Sequence, residues 1–188
     1  IPNTIFDKVT VNKGNSQATT LTVNIAGTLT TPADNWLTLQ NGTLIYNRTG
    51  VFNISQGTDF TIPATSGLTL NTLSNVFIAN IASNNKTLFL DGKLTLLAGG
   101  GNVYLGPIGN TTNNADIEYS GSGASAIEVQ GGALVVNGQI RRPNATTNGI
   151  LSFKQTGGAV TINGNNALAT KAKFEVLNGG SDFTMSGG

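Results

Sequence analysis

Apolar residues recur along this chain as short triplets, two of them flanking one outward residue, with a Gly- or Asn-bearing turn before the next. Leu37-Thr38-Leu39 leads through Gln40-Asn41-Gly42-Thr43 to Leu44-Ile45-Tyr46, and Leu88-Phe89-Leu90 through Asp91-Gly92-Lys93 to Leu94-Thr95-Leu96. Ile127-Glu128-Val129 pairs in the same way with Leu134-Val135-Val136, Leu151-Ser152-Phe153 with Val160-Thr161-Ile162, and Phe174-Glu175-Val176 with Phe183-Thr184-Met185. Period-two alternation in such short runs predicts strands, and Gly or Asn between them predicts turns. A strand–turn–strand unit of this size cannot bury its apolar side alone. Stacked on copies of itself it forms a solenoid.

The ends of successive triplets give a period. Val129 to Phe153 is 24 residues and Phe153 to Val176 is 23, as is Leu39 to Ile62. This predicts an all-β parallel β-helix with coils of roughly 23–24 residues, spanning residues 1–188 as a single segment. The outer residues of each triplet would stack into core columns, and the middle residue would face solvent. Asn and Gly suit the corners, where left-handed backbone is tolerated and Asn amides can stack along the axis. Asn-Gly steps at Asn41, Asn137, Asn148, Asn163 and Asn178 fit such corners, though they fit two-residue hairpins too. The best helical candidate is Asn165 to Lys173, as one turn or an irregular loop. Gly99 to Gly101 and Asn110 to Asn114 read as loops that swell individual coils.

Composition narrows the function classes. Only 10% of residues are charged and net charge is +1, so no clustered basic face is expected and nucleic acid is not a predicted partner. The lone adjacent basic pair, Arg141-Arg142, precedes Pro143-Asn144 and reads as a solvated turn. There is no cysteine and no histidine, which removes disulfides, thiolate sites and the commonest general base and metal ligand. No cofactor is implied. No apolar run is long enough to span a membrane. The chain opens at Ile1-Pro2-Asn3 and closes at Ser186-Gly187-Gly188 within a further unit, so a piece of a longer repeat array is expected.

Carboxylates carry the remaining catalytic possibility, because glycoside hydrolysis needs two of them roughly 5 to 9.5 Å apart. Glu128 and Glu175 occupy the same slot of their triplets and would lie about 9.6 Å apart if two coils separate them. Solvated surface glutamates are the plain alternative. Tyr119 and Trp36 could join them as carbohydrate-facing aromatics, as could Tyr46 and Tyr104, although a core-covering role is expected of Trp36. Asp116 and Glu118 share one strand face without a third oxygen ligand for calcium. Thr stands in the middle of many triplets, among them Thr22, Thr38, Thr61, Thr69, Thr95, Thr161 and Thr184. Aligned on one flat face these would suit ice binding, but Thr is also an ordinary solvent-side strand residue. Asn-x-Ser/Thr acceptors at Asn41, Asn47, Asn53, Asn85, Asn110 and Asn144 are about as many as chance supplies. Without a nucleophile–base pair or a phosphate loop, catalysis is not expected.

Two runs carry a resemblance: 126–140, from Ala126-Ile127-Glu128-Val129 through Gly131-Gly132 to Asn137-Gly138-Gln139-Ile140, and 174–188, from Phe174-Glu175-Val176 through Gly179-Gly180 to Gly187-Gly188. They resemble the Gly/Asn/Thr-rich repeats of very large bacterial surface proteins, the autotransporter passengers and giant adhesins exported by Bacteroidota. The resemblance implies a secreted, cell-surface, right-handed parallel β-helix acting as stalk, fibre or adhesive surface, and no enzyme. Its partners would be neighbouring repeats of the same polypeptide, other surface proteins or glycans. A polysaccharide-binding or polysaccharide-cleaving β-helix is the second expectation and an ice-binding solenoid the third.

Overall fold

The computed structural model describes residues 3–25, 27–71, 73–83, 85–99, 101–120, 125–143 and 148–188. Gly100 of the swelling loop and Asn144, both of the turn and of the acceptor motif, lie outside the described residues. Every strand pairing is parallel, and no helix occurs among the described residues. Parallel pairing excludes the hairpin reading of the Asn-Gly steps, since a two-residue turn can only join antiparallel strands. The chain is a β-solenoid of about seven turns.

Three faces run along its axis. The central face stacks Thr20–Val23, the second half of Leu37–Tyr46, Ser66–Leu70, Lys93–Leu96, Ser125–Val129, Leu151–Gln155 and Asp182–Met185. A second face stacks Phe60–Ile62, Lys86–Leu90, Ala115–Glu118 and Ile140–Arg141, and Phe174 continues it through one bridge to Ile140. A third stacks Phe52–Asn53, Val76–Ile78, Asn102–Leu105, Ala133–Val136 and Ala159–Ile162. Leu37–Tyr46 serves two faces at once: Leu37 to Leu39 pairs with Val9 to Val11, and Thr43 to Tyr46 with Thr20–Val23. Gly42 makes that bend. Its φ of +85° is open to glycine, and a Cβ there would lie 2.6 Å from the Lys13 carbonyl oxygen.

Turns are longer than the triplets predict, spaced by about 26 residues. Along the central face, Leu44, Leu68, Leu94, Ile127 and Phe153 stand in register. The widest step, Leu94 to Ile127, contains the 106–114 excursion between Asn102–Leu105 and Ala115–Glu118. One turn later only 137–139 bridges the same corner. The triplet ends do not share one position: Val129 aligns with Gln155, Phe153 aligns with Ile127, and Phe183 rather than Val176 continues that column.

Inward residues form the expected columns. Leu44, Leu68, Leu94, Ile127 and Phe153 are each at most 2% exposed, as are Val76, Val103 and Leu134 on the third face. Packing of this kind across turns is what the isolated unit lacks. Aromatic stacks thicken both ends: Tyr46 lies on Phe52 with centroids 4.0 Å apart, and Phe153 lies on Phe183 at 5.4 Å. Asn amides bond from turn to turn at the corners, Asn41 to Asn12 (2.8 Å), Asn71 to Asn47 (3.0 Å), Asn80 to Asn53 (3.0 Å), Asn102 to Asn75 (3.3 Å) and Asn163 to Asn137 (3.1 Å). Each joins a side-chain amide Nδ2 to the Oδ1 of the asparagine one turn before, so an axial ladder continues where strands stop. Asn165 to Lys173 is an irregular loop with one Lys171-to-Leu168 turn, held by the fully buried Gln139 side chain, which donates to the Lys171 and Ala172 carbonyls and accepts from Leu168 N–H.

Candidate functional site

The two glutamates of interest do not face one groove. Glu128 lies on the central face, in an outward column with Thr69, Thr95 and Lys154. Lys93 Nζ is 2.6 Å from its Oε2, Lys154 Nζ is 4.0 Å from Oε1, and Gln130 donates to it at 3.0 Å. The Lys93 hydrogen bond, with help from Gln130 and Lys154, holds this carboxyl below the usual range against partial burial. A shallow cleft of about 410 Å³ borders it, lined by Thr43, Thr69, Thr95 and Gln130 among others.

Glu175 sits instead beside the second face, one residue after the Phe174 bridge, and is 4% exposed. Its Oε2 accepts from Arg142 N–H (3.1 Å) and Nε (3.2 Å), and its Oε1 from Ala172 N–H (3.3 Å). Burial would raise its pKa, but these hydrogen bonds and the guanidinium charge outweigh burial and leave it below the ordinary value. Tyr119 joins this cluster, not that of Glu128: its hydroxyl donates to the Glu175 carbonyl at 2.7 Å. Burial and the Glu175 charge push the phenol up to about 12. With no exposed surface, the Tyr119 ring is not available to a sugar. Trp36 is also buried, edge-on to Phe52 at 5.3 Å, with its indole N–H on the Asn53 carbonyl (3.2 Å). The carbohydrate-facing group Glu128, Glu175, Tyr119 and Trp36 is therefore split over separate places, with both aromatics inside.

Arg141 and Arg142 are not a solvated turn. Both are under 10% exposed. Arg141 crosses to the strand before it, Nη2 to Asp116 Oδ2 at 2.9 Å and Nη1 to Glu118 Oε2 at 2.6 Å. The shared face of Asp116 and Glu118 is as expected, but its partner is a guanidinium. Asp116 also accepts from Gln139 N–H at 2.7 Å and the Asn114 amide at 2.9 Å, which fills its acceptor sites. No group of three or more potential metal-ligating side chains occurs among the described residues.

The threonines divide over three faces. Thr22, Thr69, Thr95 and Thr184 share the central column with Ile45, Glu128 and Lys154, while Thr61 and Thr161 stand on the other two. That column is not a uniform Thr grid.

The third face carries what the sequence reading passed over. Phe77 and Tyr104 are outward neighbours in register, rings stacked at 5.2 Å and 19°. Val135 follows Tyr104 in the same column. Beside them a cleft of about 310 Å³ is lined by Tyr104, Ile108, Asn110, Val135, Asn163 and Asn165, among others. Tyr104 is named in the sequence as an aromatic. Nothing there placed it next to Phe77, 27 residues earlier.

No protein-family model matches the chain, and no curated protein or solved structure is significantly similar to it.

Proposed function

We propose that this chain is a non-catalytic rod segment, acting as stalk or adhesive surface in a large, secreted bacterial surface protein. The supporting observation is the continuous core: the column Leu44, Leu68, Leu94, Ile127 and Phe153 is buried throughout, within a solenoid of about seven turns that extends about 34 Å at strand spacing. Such a body resists bending, because each turn contacts both neighbours through strand ladders, apolar columns and Asn amides at once. Asp116, Glu118, Glu128 and Glu175 are each held by a cation, so neither Asp116 with Glu118 nor Glu128 with Glu175 offers two free carboxylates. The Gly/Asn/Thr repeat style adds the surface-protein context.

Cryo-electron microscopy of the intact parent protein on cells tests this. A thin rod continuous with this segment, removable from intact cells by external protease, is the expected result. A compact particle, or material retained in the cytoplasm, overturns it.

A further inference from the structure

The geometry points to the third-face cleft beside Tyr104 as a binding site for a neutral carbohydrate chain. One face of the Tyr104 ring is covered by Phe77 of the preceding turn. The cleft lies on the other side, toward Val135 of the following turn, so the second ring face forms its wall. A stacked, half-buried tyrosine is a rigid apolar plate, the kind of surface on which the C–H face of a pyranose ring rests.

The rim supplies the matching polar groups. Asn163 donates its amide to Asn137 Oδ1 at 3.1 Å, and Asn137 donates to the Pro107 carbonyl at 2.8 Å. Asn165 donates to the Asn110 carbonyl at 2.6 Å. Both lip amides are therefore fixed through their N–H groups. Among the described residues nothing donates to Asn163 Oδ1 or Asn165 Oδ1, so each brings an unengaged acceptor to the cleft lining. Fixed acceptors beside an apolar plate suit a ligand rich in hydroxyl donors.

Charge narrows the class further. Among the described residues, no Lys, Arg, Asp or Glu lines the cleft. An anionic polysaccharide would find no cation in the lining to offset its desolvation, the Nζ of Lys173 beside it being engaged by the Asn163 carbonyl at 3.1 Å. The volume of about 310 Å³ is at the lower end of ligand pockets, and suits a short stretch of sugar chain lying across the turns. This site does not depend on the stalk reading, since a lateral cleft works equally on a short scaffold.

The test is isothermal titration and saturation-transfer NMR of the chain with cellohexaose, laminarihexaose, maltohexaose and chitohexaose. Oligogalacturonate serves as the anionic probe. At least one neutral hexasaccharide should bind with transfer from the Tyr104 ring. Tyr104→Phe should retain the binding, and Tyr104→Ala should weaken it about tenfold. Val135→Glu, on the opposite wall and outside the core, should abolish it with the β-sheet circular dichroism unchanged, and decides the matter if Tyr104→Ala does not fold. The proposal is overturned if no neutral probe binds at millimolar concentration or only the anionic one does. Binding indifferent to Val135→Glu overturns it as well.

Discussion

Replacing Arg142 with Leu removes the cation that holds Glu175 while leaving the rest of that buried corner in place. In the native fold Glu175 is 4% exposed and takes its charge partner from Arg142 Nε at 3.2 Å. After the substitution the carboxylate keeps only the backbone N–H groups of residue 142 and Ala172. Breaking a buried pair in this way costs about 3–5 kcal/mol, because the orphaned charge remains desolvated. For a chain of this size that is a fall in Tm of about 6–20 °C. The double variant Arg142→Leu with Glu175→Leu should recover a large part of the loss, since it removes both desolvation penalties together. The pH dependence has a definite sign. Glu175 has a native pKa below its ordinary 4.5, so the pair's contribution is full above that value and fades as pH falls through the native pKa. The gap between native protein and Arg142→Leu should therefore narrow from pH 7 to pH 3. Urea unfolding of the single and double variants at both pH values measures all of this. A single-variant loss under about 1 kcal/mol would mean the pair behaves like an exposed surface bridge, and the reasoning would fail.

Gly92→Ala should lower stability by about 1–3 kcal/mol by the same assay, since a Cβ there would overlap the Ser66 and Pro63 carbonyl oxygens of the turn before. Asn137→Ala leaves the Pro107 carbonyl without its amide and breaks one ladder step, a loss of about 1–3 kcal/mol in thermal melts. Native protein should lose stability progressively as pH drops below about 4.5, because Glu128 and Glu175 sit below their ordinary pKa values, as does Asp34, whose carboxylate accepts from the Gln56, Gly57 and Thr58 backbone N–H groups against partial burial; a flat acid profile in calorimetry would contradict the three assignments. Phe183→Ala should increase hydrogen exchange in the last turn, where Phe183 is half exposed, and leave Trp36 fluorescence at the far end unchanged.

The solenoid was legible because burial on one side of a strand imposes period-two alternation whatever the turn length. Its period was harder. The triplet-and-turn pattern marks every corner of the triangle alike: Leu94-Thr95-Leu96 is on the central face, Leu134-Val135-Val136 on the third and Phe60-Thr61-Ile62 on the second. Counting between look-alike triplets therefore mixes faces, as it does between Phe153 and Val176. The polar column entry Gln155, buried between Val129 and Met185, hid the true register further by breaking the apolar pattern where the column continues. The candidate site failed for a related reason. Arg141 meets Asp116 and Glu118 only because 137–139 closes its turn tightly, and Phe77 meets Tyr104 only because the intervening loop returns the chain in register. Contacts along a solenoid axis join residues a full turn apart, and with turns of unequal length that separation has no fixed value to search for.

The corner asparagines also govern how the protein ages. An Asn-Gly step deamidates when the glycine nitrogen attacks the asparagine side-chain carbonyl, and the isoaspartate that results adds a carbon to the backbone, which would throw every later strand out of step. At three of these steps the attacking nitrogen is already committed between turns: Gly42 to the Thr65 carbonyl at 3.0 Å, Gly138 to Ala115 at 3.1 Å and Gly164 to Gly138 at 2.9 Å. The folded array thus shields three of its five Asn-Gly bonds. At these three, chemical lifetime is set by how rarely a turn opens, so durability and mechanical integrity are there one property.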